Sequence, residues 1–386
     1  MRREIQRKGI LMMRRLGGLL VVVAVLVATF GVAQASAANG WPVVARNLDN
    51  PRGLAFGPDG ALYVAEAGRG GPGPCDIGAA HQFRCFGTTG AITRVGTFGQ
   101  RRVVRGLPSQ GLPDGTAAIG PHDVSFDGGI YGYVPIGLGA DPVIRSRFGP
   151  EAALFGHLIR FRVALPVLSG SIADIGAYEA TVNPDGRVVD SNPYAVLARP
   201  GHRYLVDAGG NSLLDVAPTD AVGRGHTIST IATFPPRFVP APPFLGLPPE
   251  ARIPMDPVPD SVTQGPDGAL YVGELTGFPF PPGAARIYRV VPGSAPTVYA
   301  DGFTNIIDLA FGDDGNLYVL QYRATSFFSP DPTGALIRVA PNGTRTTVAS
   351  TGLTSPTGLA LRDGWAYVSN FGTSPGIGEV VRIPLD

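Results

Sequence analysis

A twelve-residue phrase returns along this chain. Gly53-Leu-Ala-Phe-Gly-Pro-Asp-Gly-Ala-Leu-Tyr-Val64 reappears as Ser261-Val-Thr-Gln-Gly-Pro-Asp-Gly-Ala-Leu-Tyr-Val272 and as Asp308-Leu-Ala-Phe-Gly-Asp-Asp-Gly-Asn-Leu-Tyr-Val319. A shorter copy runs Gly358-Leu-Ala-Leu-Arg-Asp-Gly-Trp-Ala-Tyr-Val368, and looser copies cover 123–134 and 194–206. Each copy reads as a hairpin. The apolar flanks suit strands, and the Asp-Gly pairs at 59–60, 267–268, 314–315 and 363–364 supply the positive φ angles of a tight turn. A repeat of this size means that one supersecondary unit is stacked on copies of itself.

The unit is longer than a hairpin. A third strand follows in Ala91–Val95, Arg286–Val290, Ala335–Val339 and Glu379–Ile383. A fourth follows in Arg102–Arg105, Thr297–Ala300 and Thr346–Ala349. The tyrosines Tyr271, Tyr318 and Tyr367 are 47 and 49 residues apart, close to the length of a propeller blade. Four strands per unit and six units predict an all-β, six-bladed β-propeller with antiparallel four-stranded blades. The last unit has three strands, whereas an orphan strand, Pro42–Ala45, stands at the start, so the N-terminal strand is expected to complete the C-terminal blade. The expected blades are 49–108, 121–190, 191–235, 258–304, 305–354, and 355–386 plus 41–48.

The first 37 residues read differently. Arg2, Arg3, Arg7, Lys8, Arg14 and Arg15 precede an apolar run from Leu16 to Val32, and Ala35-Ser36-Ala37 is an A-x-A cleavage site. This is the pattern of a secretory signal peptide (1–37) ahead of a mature chain of 38–386, with an uncleaved anchor as the alternative. The chain is expected to be secreted or otherwise extracytoplasmic and to retain no stable membrane span once cleaved. In that compartment Cys75 and Cys85, the only cysteines, read as one disulfide. A net charge of +1, with no basic run beyond the leader, argues against a nucleic-acid partner. A closed ring is expected to be monomeric.

Function is expected on one face. The long segments, residues 67–90, 137–156, 234–257, 275–285 and 322–334, nearly all lie between strands B and C or between D and the next A, at the same end of the blades. Polar residues gather there at repeat-equivalent positions: Glu66, Asp207, Glu274, Gln321 and Asn370 end strand B, whereas Asp123, Ser261 and Asp308 open strand A beside His122 and Asp260. A ring of oxygen donors suits Ca²⁺ or another divalent cation, with Glu66, Asp123, Asp207, Glu274, Asp308 and Asn370 as candidate ligands. The alternative role for strand-end carboxylates is to satisfy backbone donors. His122, with acidic neighbours, is the candidate general base. No G-x-S-x-G elbow, Walker loop or H-E-x-x-H motif is present.

Several phrases resemble a known family. Asn50-Pro-Arg-Gly-Leu-Ala-Phe-Gly-Pro-Asp-Gly60, Gly120-Pro-His-Asp-Val-Ser125, Val206-Asp-Ala-Gly-Gly-Asn211 and the stretch Tyr271–Val290 look like the ScyD/ScyE family of exported propellers. The resemblance covers the mature chain and implies a fold and a compartment more than a reaction. Gln321 departs from it, standing where a Glu is expected. More distantly, the chain is similar to the gluconolactonase propellers, which implies metal-binding parts for Glu66 and Asn370, and to soluble quinoprotein sugar dehydrogenases, which use a channel histidine. Three functions follow as expectations. The first is a binding or accessory module that holds a small molecule, glycan or protein on the long-loop face. The second is a divalent-metal-dependent hydrolase or lactonase. The third is a quinone-dependent sugar oxidoreductase, disfavoured by the acidic channel.

Overall fold

The repeated phrase folds as a turn held by its own side chains. In the first copy Gly60, at φ 75°, closes the turn by donating its N–H to Gly57 O (2.9 Å). Asp59 then accepts the Tyr63 hydroxyl (3.1 Å) and the Arg94 guanidinium (2.7 Å). The same tyrosine-to-aspartate bond recurs as Tyr133–Asp127, Tyr271–Asp267 and Tyr318–Asp314. The Asp-Gly-x-x-Tyr spacing is therefore a turn staple, which explains why the hairpin is the best-preserved part of each unit.

The computed structural model describes residues 40–77, 82–163, 168–220, 223 and 225–385. The expected leader and its cleavage site lie outside the described residues. Six antiparallel sheets follow one another as the four-stranded blades of a six-bladed propeller, blade 1 carrying one further short strand from its insertion. Their innermost strands (A) are Pro51–Phe56, Ser125–Phe126, Pro193–Arg199, Pro259–Gln264, Ile306–Phe311 and Gly358–Arg362, and those of neighbouring blades abut around the axis. Strand B follows each by a tight turn, ending at Glu66, Pro135, Asp207, Glu274, Gln321 and Asn370. Blade 6 takes its outer strand from the other end of the chain: Val43–Asp49 pairs antiparallel with Pro375–Pro384, with Val43 opposite Val381 and Leu48 opposite Gly378. Closure by the N-terminal strand is thus as the sequence predicts.

Packing is organised between blades. One apolar cluster lies at each of the six contacts, for example Tyr63, Ile92, Val134 and Ile159 between blades 1 and 2, and Leu336, Leu353, Val368 and Val381 between blades 5 and 6. The seam itself is filled by Ala45, Leu48 and Val380 of blade 6 against Leu54, Leu62 and Val64 of blade 1. The continuous apolar runs of strand B follow from this, because each such strand is covered on both faces.

Insertions decorate one end. Segment 67–90 carries Cys75–Ile77 paired with the start of Phe83–Gly96, and Cys75 and Cys85 are register partners joined by the predicted disulfide. Segment 234–257 forms a hairpin of Arg237–Pro240 with Arg252–Met255. After blade 2 comes a helix, Ile175–Val182, that the repeat does not announce. Asp174 caps it by accepting from Ala177 N (2.8 Å), and Asn183 ends it at φ 45°. Among the described residues no helix is long and apolar enough to cross a membrane.

Candidate functional site

The predicted donors fall into two groups with different surroundings. The strand-B ends look to their own blade. Glu66 accepts Asp49 N (2.7 Å), Asp207 accepts Asn192 N (2.6 Å), Gln321 accepts Thr304 N (2.8 Å) and Asn370 accepts Thr354 N (2.6 Å). For Asp207, Gln321 and Asn370 the donor lies in the loop that enters strand A of the same blade; the exception is Glu66, whose donor Asp49 ends the outer strand of blade 6, so that this bond crosses the seam between blades 6 and 1. The position is a repeated latch that satisfies a buried backbone N–H at the strand entry. It also explains Gln321, because an amide oxygen accepts that bond as well as a carboxylate does.

The remaining oxygens of these residues are also engaged. Glu66 takes the Thr93 hydroxyl and a two-pronged contact from Arg102 (Nε 2.9 Å, Nη2 2.6 Å). Asp207 takes Ser191 Oγ (2.7 Å) and the N–H groups of Gly209 and Gly210 (both 3.2 Å). Glu274 meets the Arg237 guanidinium and Arg286 N (3.1 Å). Burial pushes Glu274 up to about 7, against the pull of Arg237.

The strand-A group looks to the next blade. Asp123 Oδ2 accepts Val196 N (2.9 Å) and Asp308 Oδ2 accepts Leu359 N (2.7 Å), while each Oδ1 takes the following residue's N–H. These two carboxylates stitch blade 2 to 3 and blade 5 to 6 around the axis. Gly53 and Gly358 hold the equivalent places in blades 1 and 6; a Cβ at Gly53 would stand 2.0 Å from Asp123 Oδ1. Burial and repulsion from Asp308 lift Asp123 well above the usual carboxylate range, and burial lifts Asp308 to about 7. Of the six candidate metal ligands, Asp123 feels the charge of Asp308, Asp207 and Asn370 are bonded within their own blades, Glu66 is also tied to Asp49 of blade 6, and Glu274 is tied to Arg237 of the hairpin inserted after blade 3. No group of three His, Cys, Asp or Glu side chains fit to hold a metal is present among the described residues.

Asp308 allows a direct check on this electrostatic picture. The folded chain holds its proton between about pH 4 and 7, where the unfolded chain releases it, so stability falls as pH rises through that window. The loss is on the order of 3 kcal/mol for such a shift in a fully buried group. Urea unfolding at pH 5 and 8 should show a slope shallower by about that amount in Asp308→Asn. An unchanged slope would mean that Asp308 is ionised in the folded chain.

One residue earlier, the aligned strands present a second ring: Arg52, His122, Tyr194, Asp260, Ile307 and Thr357. This is the channel mouth on the long-loop face. His122 Nδ1 lies 3.2 Å from Pro193 O, so this nitrogen is the donor and Nε2 is left unprotonated, with no protein partner among the described residues. Its ring lies 4.7 Å from that of Tyr194. Gly137 makes room for it, because a Cβ there would meet His122 Cε1 at 2.1 Å. Burial, with Arg52 and Arg84 nearby, pushes His122 down to about 3, so it is neutral at physiological pH. Asp260 is raised well above the usual range by burial, which Arg52 opposes, and its Oδ1 is buried without a hydrogen-bond partner among the described residues.

Two arginines in this ring region escaped the sequence reading. Arg52 is 6% exposed and donates to Gly372 O (2.8 Å) and Ala118 O (2.7 Å), with Nε buried and without a hydrogen-bond partner among the described residues. Arg84 is 7% exposed; it reaches the carbonyl of Ala117 and Gln82 Oε1 (2.5 Å). Neither has a carboxylate at ion-pair distance among the described residues, in contrast to Arg69, Arg102, Arg145 and Arg237. Burial and the charge of Arg52 bring Arg84 down to about 10, so even Arg84 stays protonated at neutral pH. Arg52 was legible as the counterpart of His122 and Asp260 after the recurring proline (Pro51, Pro121, Pro259). Arg84 comes from an insertion with no repeat partner, so no alignment within the chain could place it.

No protein-family profile matches the chain, and no curated protein matches it. Solved six-bladed propellers do. An oxidoreductase (glucose dehydrogenase) of Thermus thermophilus is 18% identical, with 89% of this chain and 98% of that one covered and a TM-score of 0.49. The PQQ-bound aldose sugar dehydrogenase of Streptomyces coelicolor is 11% identical over 89% and 96% of the two chains, with a TM-score of 0.49. Virginiamycin B lyase of Staphylococcus aureus is 13% identical over 88% and 99%, with a TM-score of 0.45.

Proposed function

We propose that the protein is an exported, ScyD/ScyE-like binding propeller that holds a small anionic ligand at the channel mouth. The observation that carries this reading is the pair of buried guanidiniums, Arg52 and Arg84, without a carboxylate partner. A buried charge that lacks a counter-ion costs several kcal/mol. The acids that could serve, Asp260, Asp123 and Asp308, are held toward their neutral forms by burial. The mouth therefore carries net positive charge in a low-dielectric setting, and an incoming carboxylate would supply the missing charge. Protonated Asp260 would donate to the ligand, and His122 Nε2 would accept from it. The carboxylates first considered as metal ligands are engaged with backbone and arginine donors, which favours the binding module over a metal-dependent hydrolase. The disulfide and the leader support an extracytoplasmic site of action, and the closed ring supports a monomer.

Calorimetric titration of the 38–386 chain with acetate, propionate and phosphate tests the reading. Acetate or propionate should bind, and Arg52→Gln or Arg84→Gln should weaken binding by about 10- to 100-fold, as expected for a lost charged hydrogen bond. Absence of binding, or equal binding by both variants, would overturn it.

A further inference from the structure

From the channel mouth an aromatic strip runs outward over the long-loop face. Tyr194 packs with Tyr322 against the apolar cluster of blades 5 and 6. The Tyr322 ring lies 5.6 Å from that of Phe327, which stacks on Phe280 at 4.7 Å and 23°. Phe280 meets Phe328 edge-on at 5.2 Å, and Phe328 meets Phe244 edge-on at 6.1 Å. These rings come from three separate insertions, after blade 3 and within blades 4 and 5. Exposure rises along the strip: Tyr322 is buried, whereas Phe327, Phe328 and Phe244 are 40%, 50% and 52% exposed.

The strip is held in place by the backbone as well as by ring contacts. Ser326 Oγ donates to Phe280 O (3.1 Å), tying two of the loops together. Phe280 itself sits at φ 53°, a conformation that costs a non-glycine residue energy and persists where its surroundings enforce it. Contiguous exposed rings are uncommon on a soluble surface and mark places where something apolar is held. Two features say what this one holds. The strip adjoins the ring that contains Tyr194, because Tyr194 packs against the same apolar cluster as Tyr322 and its ring lies 4.7 Å from that of His122 in the Arg52 ring. Its inner end therefore meets a positively charged mouth, and its outer end is a set of flat faces.

We infer that the ligand is an aromatic carboxylate, with its carboxylate at the Arg52 and Arg84 mouth and its ring system laid on Tyr322, Phe327 and Phe280. This rests on the anion-binding reading and extends it to a substrate class.

Titration with 2-naphthoate and with acetate separates the two levels. 2-Naphthoate should bind about 100-fold more tightly than acetate, because its fused rings bury apolar surface and gain ring contacts. Phe327→Ala, at an exposed position, should weaken 2-naphthoate about 10-fold and leave acetate unchanged. Phe280→Ala is the second variant and should do the same. If acetate binds but 2-naphthoate gains nothing and both variants are silent, the aromatic inference fails while the anion site stands. If neither acid binds, the anion site fails and the inference with it. If 2-naphthoate binds equally well to Arg52→Gln, the strip acts without the mouth and the inference is overturned. Self-association in light scattering that Phe327→Ala abolishes would also overturn it, because the strip would then be a contact between copies.

Discussion

A chain that begins at Asn50 is expected to lose its cooperative melting transition, whereas the chain that begins at Ala38 keeps it. The twelve missing residues include all of Val43–Asp49, the outer strand of blade 6. Leu48, 1% exposed, and Ala45, 2% exposed, would leave the seam between blades 6 and 1. Strand Pro375–Pro384 would become a bare edge, and Arg102 and Glu66 would lose Asp49. Apolar burial at about 2 kcal/mol per large side chain, together with several ladder bonds and a broken buried ion network, amounts to about 10 kcal/mol. That is comparable with the whole stability of an ordinary domain. Thermal scans by circular dichroism, with limited proteolysis at 25 °C as a second readout, check it. A truncated chain that melts like the longer one would show that the N-terminal strand is an accessory to a ring closed in some other way.

Glu66→Ala should be the most damaging single substitution at the predicted site, costing about 3–5 kcal/mol. Glu66 is fully buried and receives one backbone N–H, one hydroxyl and a two-pronged guanidinium. Its removal leaves Arg102 beside Asp49 alone and strands the Asp49 N–H. Glu66→Gln keeps the acceptor for Asp49 N and should cost roughly half as much. Denaturant titration measures both. Parallel scans with EDTA give the second arm: if chelation lowers the melting temperature of the parent chain as far as Glu66→Ala does, Glu66 holds a cation and not a latch. If Glu66→Ala melts within a degree or two of the parent, the buried network contributes little and the latch is incidental.

The repeats made the architecture readable because the Asp-Gly turn and its tyrosine staple are local, so their signature survives within a few residues. Blades 2 and 3 read poorly for a physical reason. Strand A of blade 2 is just Ser125–Phe126, and the turn of blade 3 keeps its glycine, Gly201 at φ 80°, but has Pro200 in place of the aspartate. The helix Ile175–Val182 and the hairpin in 234–257 were hidden because insertions follow no repeat. The partners of the strand-end donors were not legible in the sequence. Whether a strand-end oxygen faces the axis or the chain entering strand A depends on the path of the backbone in the few residues before that strand. The repeated bonds to Asp49, Asn192, Thr304 and Thr354 show that path only in three dimensions.

The pairing of Val43–Asp49 with Pro375–Pro384 also sets a clock. The first strand of the ring is made first and must wait for a partner more than 300 residues downstream. At about 5–20 residues per second, synthesis alone keeps that partner away for on the order of half a minute. Contacts this far apart in sequence are slow to form even then. Through that interval Leu48 and the edge of strand Val43–Asp49 are unsatisfied, and they invite pairing with any other open edge. A ring of this kind gains its final rigidity in one late step, when the strand made first meets the strand made last.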